Sequence, residues 1–233
     1  LIPLEFTTTA MNRPEIVYRT YKSFKDRLLG VDWPASKVYI NVDPAPTGER
    51  SAVVDAVERA TGAKVVFRFP EKCNYSDAYK WLWRRSKGEY FFNLEDDWEL
   101  CEEVQIKSLV DKLMSSEKHV AVPLRAYQYF YKSTPTSPSL YKTLHFRDVS
   151  YRMSARQNPE TQLHDIMKTD YESGKAIHPK DRTCLYPFGS NRVVVRDIGR
   201  EWLENSEYTR PQLLNDGDPR KVKKCHFTGW VKK

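Results

Sequence analysis

The run Gly88-Glu89-Tyr90-Phe91-Phe92-Asn93-Leu94-Glu95-Asp96-Asp97-Trp98 passes from an aromatic, apolar segment straight into three consecutive carboxylates. A strand covered on both faces reads as such an apolar run, and open α/β sheets bind ligands just beyond the carboxyl ends of their strands. Three adjacent carboxylates repel one another, so placing them there makes sense mainly when a divalent cation neutralises them. Strand alternation predicts Glu95 and Asp97 on one side and Asp96 on the other. Far downstream, Cys225-His226-Phe227-Thr228-Gly229-Trp230-Val231-Lys232-Lys233 supplies an imidazole, a glycine and two ammonium groups. The two segments together suit a metal-bound diphosphate.

Strand and helix patterns alternate on either side of the acids. Strands are predicted over residues 4–9, 37–42 and 64–69, and helices over 51–61 and 76–85. A further helix starts near Pro14, with Ile16, Val17, Tyr21 and Phe24 on its apolar face. Breakers from Pro44 to Gly48 close the second strand. Alternation at this length implies crossover units and a mostly parallel sheet. Downstream, a helix is predicted over 102–115, strands over 120–124 and 192–195, and a helix over 198–204. An aromatic cluster, Tyr127 to Tyr131, runs into a breaker-rich loop ending at Pro138. No internal repeat is visible.

With 233 residues, the chain is sized for one large α/β domain. No apolar run is long enough to cross a bilayer, and no signal peptide is visible. Cys73, Cys101, Cys184 and Cys225 show no Cys-x-x-Cys spacing, which points to free thiols in a reducing, cytoplasmic compartment. A zinc site from Cys184, Cys225 and His226 fits no usual ligand spacing.

A strand ending in acid-x-acid, followed much later by His-Phe-Thr-Gly-x-x-Lys, resembles the metal-dependent glycosyltransferases of the GT-A fold. Residues 68–98 are similar to the helix, Gly-Glu-Tyr, strand and Asp-x-Asp passage of their large inverting family. The tail is similar to the ending of the retaining glycogenin-like and lipooligosaccharide galactosyltransferase group, with Lys233 where that group has Pro. The resemblance implies a single GT-A (Rossmann-like) α/β domain with a mostly parallel central sheet flanked by helices. Residues 1–100 would form the nucleotide-sugar half. Residues 101–233 would hold the acceptor and supply the metal- and diphosphate-binding tail. The implied donor is a nucleotide-diphosphate sugar, with uridine diphosphate favoured.

A departing diphosphate needs its growing negative charge stabilised, and Mn²⁺ or Mg²⁺ does this as a Lewis acid. The expected ligands are Asp97, Glu95 and His226; an imidazole ligand would tilt the choice toward Mn²⁺. Gly229 would let the backbone approach the phosphates and Lys232 would add a point charge. Thr8, Thr9 and Arg13 follow the first strand where the resemblance places the nucleotide, Asp43 resembles the acid that recognises the base, and Asp96 belongs to the same donor site. Asp77, Lys80 and Arg84 share one helical face, from which Lys80 could reach the donor. An inverting enzyme needs a carboxylate base, for which Asp165 is the candidate and Asp170 the reserve. In the alternative reading, residues 95–97 merely cap a helix and His226 is an ordinary histidine.

The formal charge of +7 exceeds what a diphosphate requires and could track a polyanion. Two acceptors fit: a saccharide or lipid-linked glycan, and DNA carrying a hydroxymethylated pyrimidine, on whose flipped base the Tyr127 to Tyr131 cluster could stack. A different class also fits the charge, namely a non-catalytic basic nucleic-acid-binding protein.

Overall fold

The structure, a computed structural model, describes residues 1–46, 48–124, 136–177, 194–206, 208–209 and 231–232. In chain order its first half runs β1 (Glu5–Ala10), α1 (Pro14–Arg27), β2 (Leu28–Leu29), β3 (Lys37–Val42), α2 (Ser51–Thr61), β4 (Lys64–Arg68), α3 (Tyr75–Arg85) and β5 (Tyr90–Asn93). Its second half runs β6 (Trp98–Leu100), β7 (Val104–Gln105), α4 (Ile106–Met114), β8 (Ala121–Pro123), β9 (Ser139–Lys142), α5 (Thr143–Arg152), α6 (Pro159–Glu172), β10 (Val195–Asp197), α7 (Gly199–Asn205), β11 (Tyr208–Thr209) and β12 (Val231–Lys232).

Six strands form the central sheet in the order β4-β3-β1-β5-β9-β8. The first four are parallel, β1 lying in register with β3 from Glu5 opposite Lys37 to Ala10 opposite Val42. β9 runs antiparallel to both β5 and β8. Building begins at β1, moves outward to β3 and β4, then returns to the other side of β1 with β5. The topological switch point therefore lies between β1 and β5, and ligands of open α/β sheets enter the crevice at such a point.

Period-two alternation sends neighbouring side chains to opposite faces of the sheet. Phe92, Val38 and Ile40 pack with Val17, Tyr21 and Phe24 of α1, Val53 and Val57 of α2, and Leu109 of α4. Phe91 and Tyr39 pack on the opposite face with Tyr79, Leu82 and Trp83 of α3, Phe146 of α5, and Leu163 and Met167 of α6. Full burial of each such side chain contributes about 1.5–3 kcal/mol. Between the two cores, buried Asn93 is tied down on every side: its Oδ1 accepts from Thr7 Oγ1 (3.2 Å) and Trp83 Nε1 (3.3 Å), and its Nδ2 donates to the Thr136 carbonyl (2.6 Å).

The helix predicted over 102–115 begins only at Ile106, because Val104 and Gln105 first pair with β2. The strand predicted over 192–195 is found at Val195–Asp197, paired antiparallel with β6. Helix α6 starts where local chemistry directs it: the Asn158 side chain accepts from the Thr161 N–H, and Pro159 occupies the first turn. Among the described residues no helix is long and apolar enough to cross a membrane. Cys73 and Cys101 are free thiols. The Tyr127 to Tyr131 cluster and Cys184, Cys225, His226, Gly229 and Lys233 lie outside the described residues.

Candidate active site

The three acids lie just past β5, at the switch point. Strand β5 ends at Asn93, so residues 95–97 turn rather than alternate, and the expected separation of Asp96 from Asp97 gives way to a shared cation. Arg13 Nη2 donates to Asp96 Oδ1 (2.9 Å) and to Asp97 Oδ2 (3.2 Å). Asp96 is buried and also accepts from the Met11 N–H (2.9 Å), while its own carbonyl accepts from Thr20 Oγ1 (2.7 Å). It thus fastens the end of β5 to the turn that follows β1. Arg13, equally buried, has the Trp202 ring 4.9 Å from its guanidinium carbon, and its Nε atom has no hydrogen-bond partner among the described residues.

Glu95 turns toward α3. Its Oε1 accepts from the hydroxyls of Tyr75 and Tyr79 (2.9 Å for Tyr79), and its Oε2 accepts from Trp98 Nε1 (3.0 Å). Burial, followed by the charge of Asp97, still pushes its pKa up to about 7, against the opposing bonds from Tyr75 and Trp98. Asp97 is pushed up to about 6 by burial and then by Asp96, with Arg13 opposing. Asp43, at the end of β3, is pushed up to about 6 by burial, while the bond from Asn41 Nδ2 (3.1 Å) opposes. Carboxylates that resist ionisation at a strand end are candidates for a cation-binding or catalytic role.

Asp97 is held from its other side by α7. The Asp97 carbonyl accepts from the Ile198 N–H (2.8 Å), and Gly199 comes so close that a Cβ there would lie 2.1 Å from Asp97 Oδ2. Only glycine permits that approach. Asp197, in β10 opposite Trp98, adds further negative charge.

The remaining expected residues are placed as follows. Thr8 is fully buried, its hydroxyl 2.6 Å from that of Tyr21, and Thr9 stands near the Tyr79 phenol. Lys80 Nζ donates to the Met153 carbonyl (2.9 Å). Asp165 lies on the exposed side of α6. Asp170 is buried and takes both Arg152 nitrogens (3.0 and 2.6 Å), with His145 Nε2 at 3.4 Å. Burial first of all holds the His145 pKa down at about 4, so this cluster clamps α5 to α6 through Arg152. Lys232 contributes backbone to β12, opposite Tyr208 of β11. His226 and Gly229 lie outside the described residues.

Several residues of the site escaped the sequence reading, among them Tyr75, Tyr79, Trp98, Glu160, Asp197 and Gly199. Glu160 stands in the first turn of α6, close enough to Glu95 and Tyr75 for its charge to raise both pKa values. The Asn158-Pro159-Glu160 sequence carries the signal of a helix start with an acid in its first turn. The i, i+4 spacing of Tyr75 and Tyr79 signals a shared helix face.

Among the described residues no three His, Cys, Asp or Glu side chains converge on one metal position. Octahedral divalent cations at phosphate sites are commonly held by one or two carboxylates, the substrate's phosphates completing the shell. Glu95 and Asp97 are oxygen donors of that kind, in mutual repulsion, and each would exchange present hydrogen bonds for an ion.

No protein-family model matches the chain, and no curated protein matches it in sequence. Solved structures do match it in fold. The mannosyltransferase PcManGT from Pyrobaculum calidifontis, solved with GDP-Man and Mn²⁺, superimposes with a TM-score of 0.59 at 14% identity, over 83% of this chain and 59% of that one. TarS of S. aureus, residues 1–349, gives a TM-score of 0.49 at 14% identity, over 69% of this chain and 54% of that one. The chain thus spans little more than half the length of either structure. The likeness to the mannosyltransferase establishes the fold, a mixed α/β architecture with a mostly parallel, helix-flanked sheet of the GT-A type.

Proposed function

We propose that the chain is a divalent-metal-dependent glycosyltransferase, which moves a sugar from a nucleotide-diphosphate donor to an acceptor hydroxyl. The observation that carries this reading is the Glu95 to Asp97 turn at the switch point between β1 and β5, where two buried carboxylates with raised pKa values stand at the strand end at which open α/β sheets bind ligands. The fold, shared with a mannosyltransferase solved with GDP-Man and Mn²⁺, agrees. A uridine diphosphate sugar is the first donor to test and a guanosine diphosphate sugar the second.

Glu95 and Asp97 would hold the cation, Mn²⁺ or Mg²⁺, with His226 as a further ligand from the tail. Bound there, the ion supplies Lewis-acid stabilisation of the departing diphosphate. Tyr75, Tyr79 and Trp98 fix the orientation of Glu95, and Arg13 with Asp96 fixes Asp97. Asp43, at the end of β3, is assigned to the nucleotide base, and Thr8, Thr9 and Arg13 shape the floor of the donor site. Lys80 would contact the donor only by leaving the Met153 carbonyl. Gly229 and Lys232 are assigned to the diphosphate. In an inverting transfer the acceptor hydroxyl loses its proton to a carboxylate of α6, whereas a retaining one needs no base there. Proximity to Glu95 supports Glu160 in this role, beside Asp165, while the ion pair of Asp170 with Arg152 suits a structural role.

The acceptor is a glycan or a hydroxymethylated pyrimidine in DNA. A non-catalytic nucleic-acid-binding protein is the second reading, favoured by the +7 charge, but it leaves the acid turn unexplained. A hydrolysis screen of sugar nucleotides in Mn²⁺ separates the two, because slow donor hydrolysis needs no acceptor. Cleavage of one donor that stops in chelator is the expected result. No cleavage of any donor, alongside nucleic-acid binding, would favour the second reading.

A further inference from the structure

The outward side of α3 carries a feature of which the donor reading uses Lys80 alone. Asp77, Lys80, Trp81 and Arg84 recur at spacings of three, one and three, a single helical stripe. With Arg68, Arg85 and Lys87 they line an open cleft of about 400 Å³, holding five cationic side chains against one carboxylate. That carboxylate, Asp77, is already paired with Arg68. Arg85 and Lys87 make no ion pair among the described residues.

One aromatic ring, that of Trp81, lines the cleft, and Tyr151 lies beside it against Arg84. The Arg85 guanidinium carbon lies 5.4 Å from the Trp81 ring centroid, and that of Arg84 lies 4.3 Å from the ring of Tyr151. Tyr151 is 65% exposed. Arg84 is aimed by its bonds to Ser150, from Nε to Oγ (3.2 Å) and from Nη2 to the carbonyl (2.9 Å). The cleft also has a direction. Tyr75, at the amino end of α3, donates to Glu95, and a helix of 11 residues extends about 16 Å. The stripe thus runs from the end of α3 nearer the acid turn toward the opposite end of the helix.

We infer that this cleft binds a single-stranded nucleic acid through successive phosphates, and that it guides the strand toward the acid turn. Cations that track a backbone, interleaved with rings that accept any base face, are the general means of holding such strands. The inference deepens the function proposed above by favouring a nucleic-acid acceptor, and it rests on that reading only for the direction of the strand.

The test is fluorescence anisotropy of a labelled oligodeoxynucleotide of about twelve nucleotides, titrated between about 50 and 200 mM salt. Arg84→Gln/Arg85→Gln/Lys87→Gln is expected to weaken binding at least tenfold. It should also flatten the salt dependence by about two units of slope, three phosphate contacts at about 0.7 each. Arg85→Gln/Lys87→Gln spares the Ser150 bonds and should lose about two thirds of that slope, which guards against a folding defect. Lys22→Gln/Lys107→Gln, on exposed helix surfaces elsewhere, should bind as wild type does.

Failure of the wild type to bind, equal losses in the control variant, or unchanged binding by both cleft variants would overturn the inference. Inorganic polyphosphate competing as well as unlabelled oligonucleotide would overturn the nucleic-acid assignment. Sugar-nucleotide hydrolysis is measured on the same samples. Hydrolysis without strand binding refutes the cleft alone, and strand binding without hydrolysis of any donor refutes the glycosyltransferase reading while the cleft stands.

Discussion

At the scale of single residues, Asp97 concentrates the conflict on which the site depends. Its pKa lies at about 6 in the fold against an ordinary 3.8, so its ionised form costs folding stability. The sign follows from linkage: the folded state keeps the proton longer, so the cost is absent below about pH 4 and complete above about pH 6. Asp97→Asn is therefore expected to melt near the wild-type temperature at pH 4 and above it at pH 7, both without metal. A gap that shrinks as pH rises would contradict the repulsion. Mn²⁺ should narrow the gap at pH 7 by stabilising the wild type. Gly199→Ala probes the same carboxylate sterically. A methyl pressed against Asp97 should cost about 1–3 kcal/mol in denaturant unfolding and weaken Mn²⁺-dependent nucleotide binding. Unchanged nucleotide binding would detach α7 from the site.

Among the elements, α6 is the one from which the proposed function draws its base. A positioned base contributes about 10²–10⁴-fold to turnover. Glu160→Gln is expected to lose transfer on that scale with donor affinity nearly unchanged, and Asp165→Asn is measured beside it. If only Asp165→Asn loses transfer, the base lies one and a half turns further along α6. If neither does, the mechanism needs no base from this helix. The strands and helices up to β5 were legible because crossover units print their periods plainly: residues 37–42 and 51–61 read as they are found. The acids after β5 were legible as a charge conflict. Their orientation was not, because it comes from a turn and from Arg13, more than 80 positions away in the chain. Tyr75 and Tyr79 look like core aromatics until Glu95 is placed beside them. The short β9 and β10 owe their existence to partners in β5 and β6 rather than to local pattern.

Across the whole molecule, the central proposal joins a first half that presents the acids to a tail that would complete the donor site. His226→Ala is expected to weaken nucleotide binding more in Mn²⁺ than in Mg²⁺, because imidazole suits the former better. Lys232→Ala should weaken binding in either metal, most at low salt where screening is least. Equal, small effects that vanish with added salt would remove the tail from the site. The most direct test of the whole is calorimetric titration of uridine and guanosine diphosphates into wild type and Asp97→Ala, each in Mn²⁺ and in chelator. The wild type should bind one nucleotide in Mn²⁺ and lose it in chelator, and Asp97→Ala should remain folded yet bind in neither condition. Binding by Asp97→Ala as tight as wild type, or wild-type binding untouched by chelator, would contradict a metal-dependent site at the end of β5.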